Sequence, residues 1–481
     1  MSLKRKLLLF LQGSMILTIA NISTKAINFF LLPLYTKYLT PEQLGVSDTI
    51  TTFTSLVSPF LILGLDSAFS AFYFDEESLG YKKKVFTSIS FILMITSIVP
   101  IILMIFAEPI SSLLFQKTEY SYIVVLSLAS LSLQLWYLPF SIYLRVENRM
   151  KAYGIITTAA SLIMIVSNII TVSVFKMGAS ALIISTCVTN AAMLVMYGIV
   201  SKILPKKEFF DIPLSKRLLK YSIPLVPTVV STWILTASSR IMLVRFVGEE
   251  AVGLYGIVTR FITVINVFTN SVSTAYTTFA YSSKDDDSGP VIYSKILNIL
   301  YLLLASVVFF ISIFSKEILN LMVDPQYQEA YKYMPLLLFA QVIYAAVTIV
   351  GYGIAFVKKS QLTLIYVGAA AIVNVVINMI MIPKYGIMAA AFAAWISNML
   401  MLIIAYVLAQ KLYPCPYEIW KLILSSIMLL VVSMTSIFIF GLALKILLFI
   451  IFMGLMMLLY RKNIMEIIYQ VRLYMIGRKD G

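Results

Sequence analysis

Two cationic residues, Lys25 and Arg260, are the strongest chemical signal in the sequence, because each stands deep inside a long apolar run. An apolar run of about 20 residues can cross a bilayer as a helix. A charged side chain held at that depth is costly, and it usually faces a water-filled cavity or a partner. Lys25 and Arg260 therefore predict a cavity within the membrane that binds an anionic group.

Neutral polar residues accompany both cations. Around the first cation they recur at steps of three, four and three, which brings them to one face of a helix: Thr18, Asn21, Lys25 and Asn28. We predict a substrate-binding site that combines the cations with amide and hydroxyl groups: Lys25, Arg260, Asn21, Asn28, Thr263, Asn270 and Arg240. Two simpler roles stay open. Membrane-embedded hydroxyl groups often bond their own backbone, and Arg240 lies near the end of its run, where it can snorkel.

Two carboxylates, Asp48 and Asp66, fall in the second apolar run. They are the candidates for coupling to H+ or Na+ or for a gate contact, and they could instead form ion pairs with the buried cations. The sequence has no histidine, and Cys187 and Cys415 lack the spacing of metal ligands. We therefore expect neither a metal site nor another cofactor.

The composition is that of an all-α integral membrane protein. Of 481 residues, 60% are hydrophobic and 12% charged, whereas a soluble domain has about 25% charged residues. Apolar runs predict about 14 transmembrane helices, here spans 1 to 14, at residues 13–35, 44–73, 85–107, 120–144, 153–175, 179–201, 219–246, 251–280, 291–315, 332–356, 361–382, 386–409, 420–440 and 442–460. Spans 1, 2, 7 and 8 carry the polar residues expected to line the cavity. Spans 3, 9, 13 and 14 are almost wholly apolar and are expected to face lipid.

The distribution of basic residues predicts the orientation. Of the 37 Lys and Arg residues, 26 fall in the connecting segments and span ends on the side of the N-terminus, 9 fall in those on the opposite side, and 2, Lys25 and Arg260, lie deep within spans. Because basic residues concentrate in cytoplasmic loops, both termini are predicted to be cytoplasmic. The net charge of +15 is then a topology signal with some attraction to membrane lipids, and no nucleic-acid partner is expected.

An internal repeat predicts two lobes. A shift of 208 residues aligns several identical residues without gaps, among them Glu42 with Glu250, Gly45 with Gly253 and Asn190 with Asn398. The repeated unit holds six spans, an even number, so the copies share one orientation and are related by a pseudo-two-fold axis along the membrane normal. The predicted order is an N-lobe, an inter-lobe cytoplasmic loop, a C-lobe, two extra helices and an amphipathic cytoplasmic tail, at residues 1–204, 205–218, 219–412, 413–461 and 462–481.

Several short stretches resemble one family of transporters. They are Gly64-Leu65-Asp66-Ser67-Ala68, Val252-Gly253-Leu254-Tyr255-Gly256, Pro325-Gln326-Tyr327-Gln328 and Ile382-Pro383-Lys384-Tyr385-Gly386. In these stretches the sequence resembles the Wzx-type polysaccharide flippases of the multidrug/oligosaccharidyl-lipid/polysaccharide exporter (MOP) superfamily. The resemblance covers nearly the whole chain.

The resemblance implies a flippase of the bacterial cytoplasmic membrane, not an enzyme. Such a protein carries a polyprenyl-pyrophosphate-linked oligosaccharide from the cytoplasmic to the outer leaflet by alternating access, for O-antigen or capsule assembly. Its expected partners are this lipid-linked oligosaccharide, membrane lipids, a coupling H+ or Na+, and a polysaccharide polymerase with its chain-length machinery. A multidrug or cation antiporter of the same superfamily is the main alternative. A membrane-embedded glycan transferase or polymerase is disfavoured, because no outer loop is long enough for a catalytic domain.

Overall fold

Every regular element in the described part of the chain is helical. The structure is a computed structural model that describes residues 29–76, 78–147, 149–282, 289–357, 361–436, 441–461, 463 and 465. These residues fall into two compact units, Met1–Gly256 and Ile257–Gly481. Residues 13–28 of predicted span 1 lie outside the described residues, as does most of the predicted C-terminal tail.

The first unit contains spans 2 to 7 and the first turns of span 8. Its helices are α1 Leu32–Tyr38, α2 Pro41–Ile62, α3 Leu65–Phe72, α4 Leu79–Thr96, α5 Ile98–Ile105, α6 Ala107–Phe115, α7 Ser121–Val146, α8 Met150–Ile169, α9 Ala181–Ser201, α10 Ile212–Ser222 and α11 Val226–Phe246. A π-helical turn, Ile170–Val174, extends α8. The next helix, α12 Glu249–Ser282, begins in the first unit and continues into the second.

The second unit contains the rest of span 8 and spans 9 to 14. Its helices after α12 are α13 Gly289–Ile313, α14 Ser315–Met322, α15 Met334–Val350, α16 Tyr352–Phe356, α17 Gln361–Leu412, α18 Ile419–Ser436 and α19 Leu442–Leu459. The long helix α17 holds predicted spans 11 and 12. They meet at Gly386, whose φ of 54° and ψ of −131° interrupt the helix, at the predicted boundary.

Hydropathy and helix length together support a multi-pass membrane protein. Among the described residues, ten helices are long and apolar enough to cross a membrane, or up to 11 if the bent pair Val229–Leu235 and Ala237–Phe246 is one span. This bent pair corresponds to predicted span 7. The all-α membrane fold is therefore confirmed, and the total of 14 spans stays a prediction.

Two chain breaks follow from local chemistry. Span 2 divides into α2 and α3 at Leu63 and Gly64, which both adopt left-handed conformations with φ of 54° and 68°. Pro224 and Pro227 lie in the first turns of predicted span 7, where a 3-10 turn, Ile223–Leu225, separates α10 from α11. A proline cannot donate the backbone hydrogen bond that a regular helix requires.

The amphipathic helix α10 begins within the segment predicted as an inter-lobe loop, residues 205–218, and continues into predicted span 7. The Asp211 carboxylate caps this helix by accepting from the Leu214 N–H at 2.9 Å, and Pro213 occupies its first turn, where proline is well tolerated. Leu214 and Leu218 are buried against α3 and α4. The helix is short and rich in lysine, so hydropathy alone does not reveal it.

The expectation that span 9 faces lipid is wrong for much of its length. In the apolar window of α13, 56% of the residues are buried, compared with 17% in that of α19. The buried residues of α13 pack against α15, α18 and α19. A wholly apolar helix suits a protein core as well as lipid, so composition could not distinguish the two.

Candidate functional site

The first unit contains a polar cavity of about 440 Å³. Four predicted spans contribute to its wall: span 2 through α2 and α3, span 4 through α7, span 6 through α9 and span 7 through the start of α11. The lining residues are Thr51, Thr54, Ser55, Ser58, Pro59, Ile62, Gly64, Asp66, Ser127, Ser130, Leu131, Gln134, Thr186, Asn190, Val226 and Val229. Most of these side chains are hydroxyls, amides or apolar groups, and the described wall contains a single ionisable residue, Asp66.

The hydroxyl groups of span 2 present hydrogen-bond acceptors to the cavity. Thr51 donates to the Ser47 carbonyl at 2.8 Å, and Ser55 donates to the Thr52 carbonyl at 2.7 Å. A hydroxyl has one donor and two lone pairs. Once the donor is used within the helix, as is common for Ser and Thr in helix interiors, the lone pairs remain available to a ligand.

Amide groups from spans 4 and 6 form a further part of the cavity wall. The Asn190 side-chain NH2 donates to the Ser130 carbonyl at 3.1 Å and to the Ser130 hydroxyl at 2.9 Å, which ties α9 to α7. In the second unit, the residue aligned with Asn190, Asn398, donates to the Ala340 carbonyl at 2.8 Å. The aligned asparagines thus make the same kind of interhelical bond.

Gln134 differs from Asn190 because its amide makes no hydrogen bond within the described part of the protein. It lies near the middle of α7 and is half-buried in the cavity wall. A polar group at membrane depth without a partner is costly. Gln134 is therefore available to a ligand or to water in the cavity.

Span 7 contributes two polar side chains that bond to span 2. The Trp233 indole N–H donates to the Ser55 hydroxyl at 2.8 Å. The Arg240 guanidinium donates to the Thr52 hydroxyl at 3.3 Å and is half-buried. Arg240 was a sequence-predicted site residue, with snorkelling to the membrane surface as the alternative. The structure places its side chain against span 2, beside the cavity.

The other sequence-predicted residues are distributed over both units. Asp66 lines the cavity and is exposed, and Asp48 is half-buried on the same span. Arg260, Thr263 and Asn270 lie on α12 in the second unit, where the Thr263 hydroxyl donates to the Thr259 carbonyl at 2.9 Å. The remaining three, Lys25, Asn21 and Asn28, lie outside the described residues.

Sequence reasoning missed the contribution of spans 4 and 6. The polar residues of span 4 follow one another at steps of three and four, which places them on one helix face: Ser127, Ser130 and Gln134. Thr186 and Asn190 of span 6 are four residues apart and share a face as well. This periodicity was present in the sequence and would have identified a polar face on each of the two helices.

A close helix crossing lies at the predicted outer end of span 2, where α2 meets the first turns of α12. A Cβ atom at Gly45 would overlap the carbonyl oxygen of Glu249, and one at Gly253 would overlap the carbonyl oxygen of Pro41. The contact is reciprocal across the repeat, because the shift of 208 residues aligns Gly45 with Gly253 and Pro41 with Glu249. Small residues allow such backbone approach in membrane helices.

An ion-pair cluster flanks this crossing. The Lys117 ammonium lies 3.1 Å from the Glu42 carboxylate and 3.5 Å from that of Glu249. The hydrogen bond with Glu42 raises the pKa of Lys117 above its ordinary value, and the charge of Glu249 adds to the effect. The lysine is 44% exposed, so the cluster contributes little stability and can separate at low cost.

Comparison with known proteins places the chain in a family. The sequence profile of the family described as "Polysaccharide biosynthesis protein" matches residues 10–284, which is more than half of the chain. The chain belongs to the polysaccharide biosynthesis protein family. A second profile, MatE, matches residues 224–380. No curated protein sequence matched this member of the family.

Solved structures share the fold of this polysaccharide biosynthesis protein. "Lipid II flippase MurJ, inward closed conformation" superposes with a TM-score of 0.74 at 17% identity, covering 93% of this chain and 99% of that one. An inward-facing multidrug resistance MATE family transporter of the MOP superfamily gives 0.66 at 15% identity, covering 80% and 94%. A MOP superfamily transporter from Pyrococcus furiosus gives 0.57 at 15% identity, covering 83% and 95%.

The protein is thus a multi-pass membrane protein with the fold of MOP superfamily transporters. The family matches agree with the resemblance to Wzx-type flippases, and the structural relatives are transporters and flippases. At sequence identities of 15–17%, similarity to these structures establishes the fold and does not identify the cargo.

Proposed function

We propose that the protein is a flippase for a polyprenyl-pyrophosphate-linked oligosaccharide, which it moves from the cytoplasmic to the outer leaflet for O-antigen, capsule or similar polysaccharide assembly. The observation that supports this function is the cavity lined mainly by hydroxyl and amide side chains, built from membrane-crossing helices in a polysaccharide biosynthesis family member. Hydroxyl and amide groups suit the hydroxyl groups of sugars. An apolar cavity would suit a lipid or a drug better.

The proposed cargo also needs cationic groups for its pyrophosphate. Arg240 lies beside the cavity wall, and Lys25 and Arg260 are the further cations proposed for this role. Charge-assisted hydrogen bonds between Arg or Lys and phosphate are among the strong ones. The polyprenyl tail stays in the lipid, and the two lobes alternate between inward and outward access.

Coupling to H+ or Na+ is proposed at Asp66 or Asp48, with a gate contact as their other role. Both termini are proposed to lie in the bacterial cytoplasm, with the protein in the cytoplasmic membrane. A polysaccharide polymerase and its chain-length machinery are the proposed downstream partners, because they use the product in the outer leaflet.

A multidrug or cation antiporter is the second candidate function. The MatE profile match and the Asp66 carboxylate in the cavity wall favour it. A cation exporter binds its cargo through acidic and aromatic groups, so it would depend on Asp66. A flippase for a pyrophosphate-linked sugar would depend on Lys25, Arg240 and Arg260.

Deletion of the gene tests the proposed function directly. We expect lipid-linked oligosaccharide to accumulate on the cytoplasmic leaflet, as measured by its protection from an impermeant glycosidase or lectin added outside. Lys25→Ala or Arg260→Ala should abolish delivery of glycan to the outer face while the protein still inserts in the membrane. Unchanged surface glycan in the deletion strain would reject the flippase function and leave the antiporter.

A further inference from the structure

The cavity wall formed by α7 and α9 carries a cluster of uncharged polar groups, named here the amide wall: Ser127, Ser130, Gln134, Thr186 and Asn190. These residues lie within helices that are long and apolar enough to cross a membrane. Polar groups at that depth are normally retained for a structural bond or for function. Asn190 and Ser130 bond each other, and Thr186 donates to the Leu182 carbonyl at 2.8 Å.

Gln134 has no such structural bond within the described residues. Its amide offers two donors and a carbonyl acceptor, and the Oδ1 atom of Asn190 adds an acceptor on the neighbouring helix. Thr51 and Ser55 of the same cavity offer lone pairs, because their own protons are donated within α2. One lone pair of Ser55 already accepts from the Trp233 indole N–H. The cavity wall thus combines hydrogen-bond donors and acceptors.

This pattern matches one class of ligand. A phosphate would need cations, and the described part of the wall contains none. A drug-like cation would need several carboxylates or aromatic faces, whereas Asp66 stands alone as the described ionisable residue. A sugar has hydroxyl groups that both donate and accept, and the cavity volume of about 440 Å³ falls in the range of about 300–1,000 Å³ typical of small-molecule sites.

An aromatic side chain adjoins this cavity on the span 7 side. The Trp233 indole N–H holds the hydroxyl of Ser55, a lining residue, at 2.8 Å. An indole presents a broad apolar face and a single polar edge. The polar edge of Trp233 thus fixes the Ser55 hydroxyl on the cavity wall.

We infer that the amide wall is a saccharide subsite that binds the uncharged sugar part of the cargo, separately from the recognition of the pyrophosphate. This inference rests on the proposed function and adds to it the residues that bind the sugar. Gln134 supplies the main specific contact, and Ser130 with Asn190 supplies the second.

Two probes separate sugar binding from phosphate binding. The first is farnesyl pyrophosphate, and the second is the same lipid carrying a neutral disaccharide on its pyrophosphate. Both are titrated against the full-length protein in lipid nanodiscs. We expect the wild-type protein to bind the glycosylated probe more tightly, and we define the ratio of the two affinities as the sugar increment.

Gln134→Leu should reduce binding of the glycosylated probe by about five- to ten-fold, the loss expected for about one hydrogen bond, with unchanged binding of farnesyl pyrophosphate. Ser130→Ala should reduce it less. Ser132→Ala is the matched control, because Ser132 lies on the same helix, donates to the Leu128 carbonyl and does not line the cavity. It should leave both affinities unchanged.

The outcomes distinguish the subsite from the proposed function. A wild-type protein without a sugar increment would overturn the subsite, as would a Gln134→Leu variant that keeps the full increment or loses affinity for both probes equally. If the wild-type protein binds neither probe, the proposed function itself fails. Thermal melting of each variant shows whether it is folded, and Ser130→Ala provides a milder test should Gln134→Leu be unstable.

Discussion

Substitution of Gly45 by alanine is expected to destabilise the protein, although alanine is the better helix former. Gly45 lies in α2 and approaches the main chain of Glu249 so closely that a Cβ atom would overlap its carbonyl oxygen. Main-chain atoms cannot rotate aside as a side chain can. The two helices must therefore separate at their crossing.

The magnitude follows from two opposing terms. Overpacking of a close contact costs about 1–3 kcal/mol, and alanine in place of glycine within a helix returns about 0.5–1 kcal/mol. Because the obstacle is backbone, we expect the upper part of the cost and a net loss of about 1–2 kcal/mol in the free energy of unfolding. Separation would also weaken the ion pairs of Lys117 with Glu42 and Glu249.

Gly198 provides the matched control. It lies within α9, and no heavy atom lies within 4 Å of an added Cβ. Gly198→Ala should therefore stabilise the protein by up to about 1 kcal/mol. The two substitutions are chemically identical, so their effects should have opposite signs.

Thermal unfolding of the purified full-length protein in detergent measures both variants. Gly253→Ala should resemble Gly45→Ala, and the double variant should lose less than the sum, because one separation of the helices relieves both overlaps. If Gly45→Ala melts at or above the wild-type temperature together with Gly198→Ala, the close crossing is refuted. Full additivity of the two crossing substitutions would show that they act at independent sites.

Two further predictions concern stability. Lys445 is 3% exposed, and its ammonium lies 2.7 Å from the carboxylate of Glu317, which is 32% exposed. Glu317→Gln leaves this buried ammonium without its counter-charge, so it should cost about 3–5 kcal/mol in the free energy of unfolding and lower the melting temperature more than Lys445→Met does. A larger loss for Lys445→Met would contradict the pairing. The hydrogen bond from the backbone N–H of Leu214 lowers the pKa of Asp211 below its ordinary value, and Lys84 contributes to the same effect. The ionised Asp211 carboxylate therefore stabilises the folded protein above about pH 4. This stabilisation is lost as the pH falls through the folded-state pKa. Asp211→Asn keeps a side chain that can cap the helix but removes the charge. As the pH is lowered from about 7 to about 3, the melting temperature of the wild type should approach that of this variant. A difference in melting temperature that stays constant with pH would show that the carboxylate charge is not the source of the stabilisation.

The sequence determined the class of fold because its signal is local. Apolar runs long enough to cross a bilayer predicted the helices from span 2 onward. The predicted boundary between spans 11 and 12 falls at Gly386, where the structure interrupts the helix. These features depend on hydropathy and on backbone chemistry within a few residues. Neither the hydropathy of a run nor its local backbone chemistry depends on how the helices pack together.

Part of the cavity wall was also predicted from the sequence, and the binding roles of its residues stay predictions. The sequence singled out Asp66 and the hydroxyl groups of span 2, which line the cavity, and Arg240, which lies beside it. Their helical spacing and position within apolar runs sufficed, because a polar side chain in a membrane helix must turn away from lipid. That spacing does not specify which other helices these side chains face across the fold.

Only the tertiary structure decided which helix faces meet. Gln134 and Asn190 come from different helices and share a wall with Ser58 and Asp66 of span 2, and Lys445 pairs with Glu317 at a separation of 128 residues. Helical periodicity tells which residues of one helix lie together, but not which other helix that face will contact. Those contacts arise when side chains from distant parts of the chain pack and satisfy each other's polar groups, which no local pattern specifies.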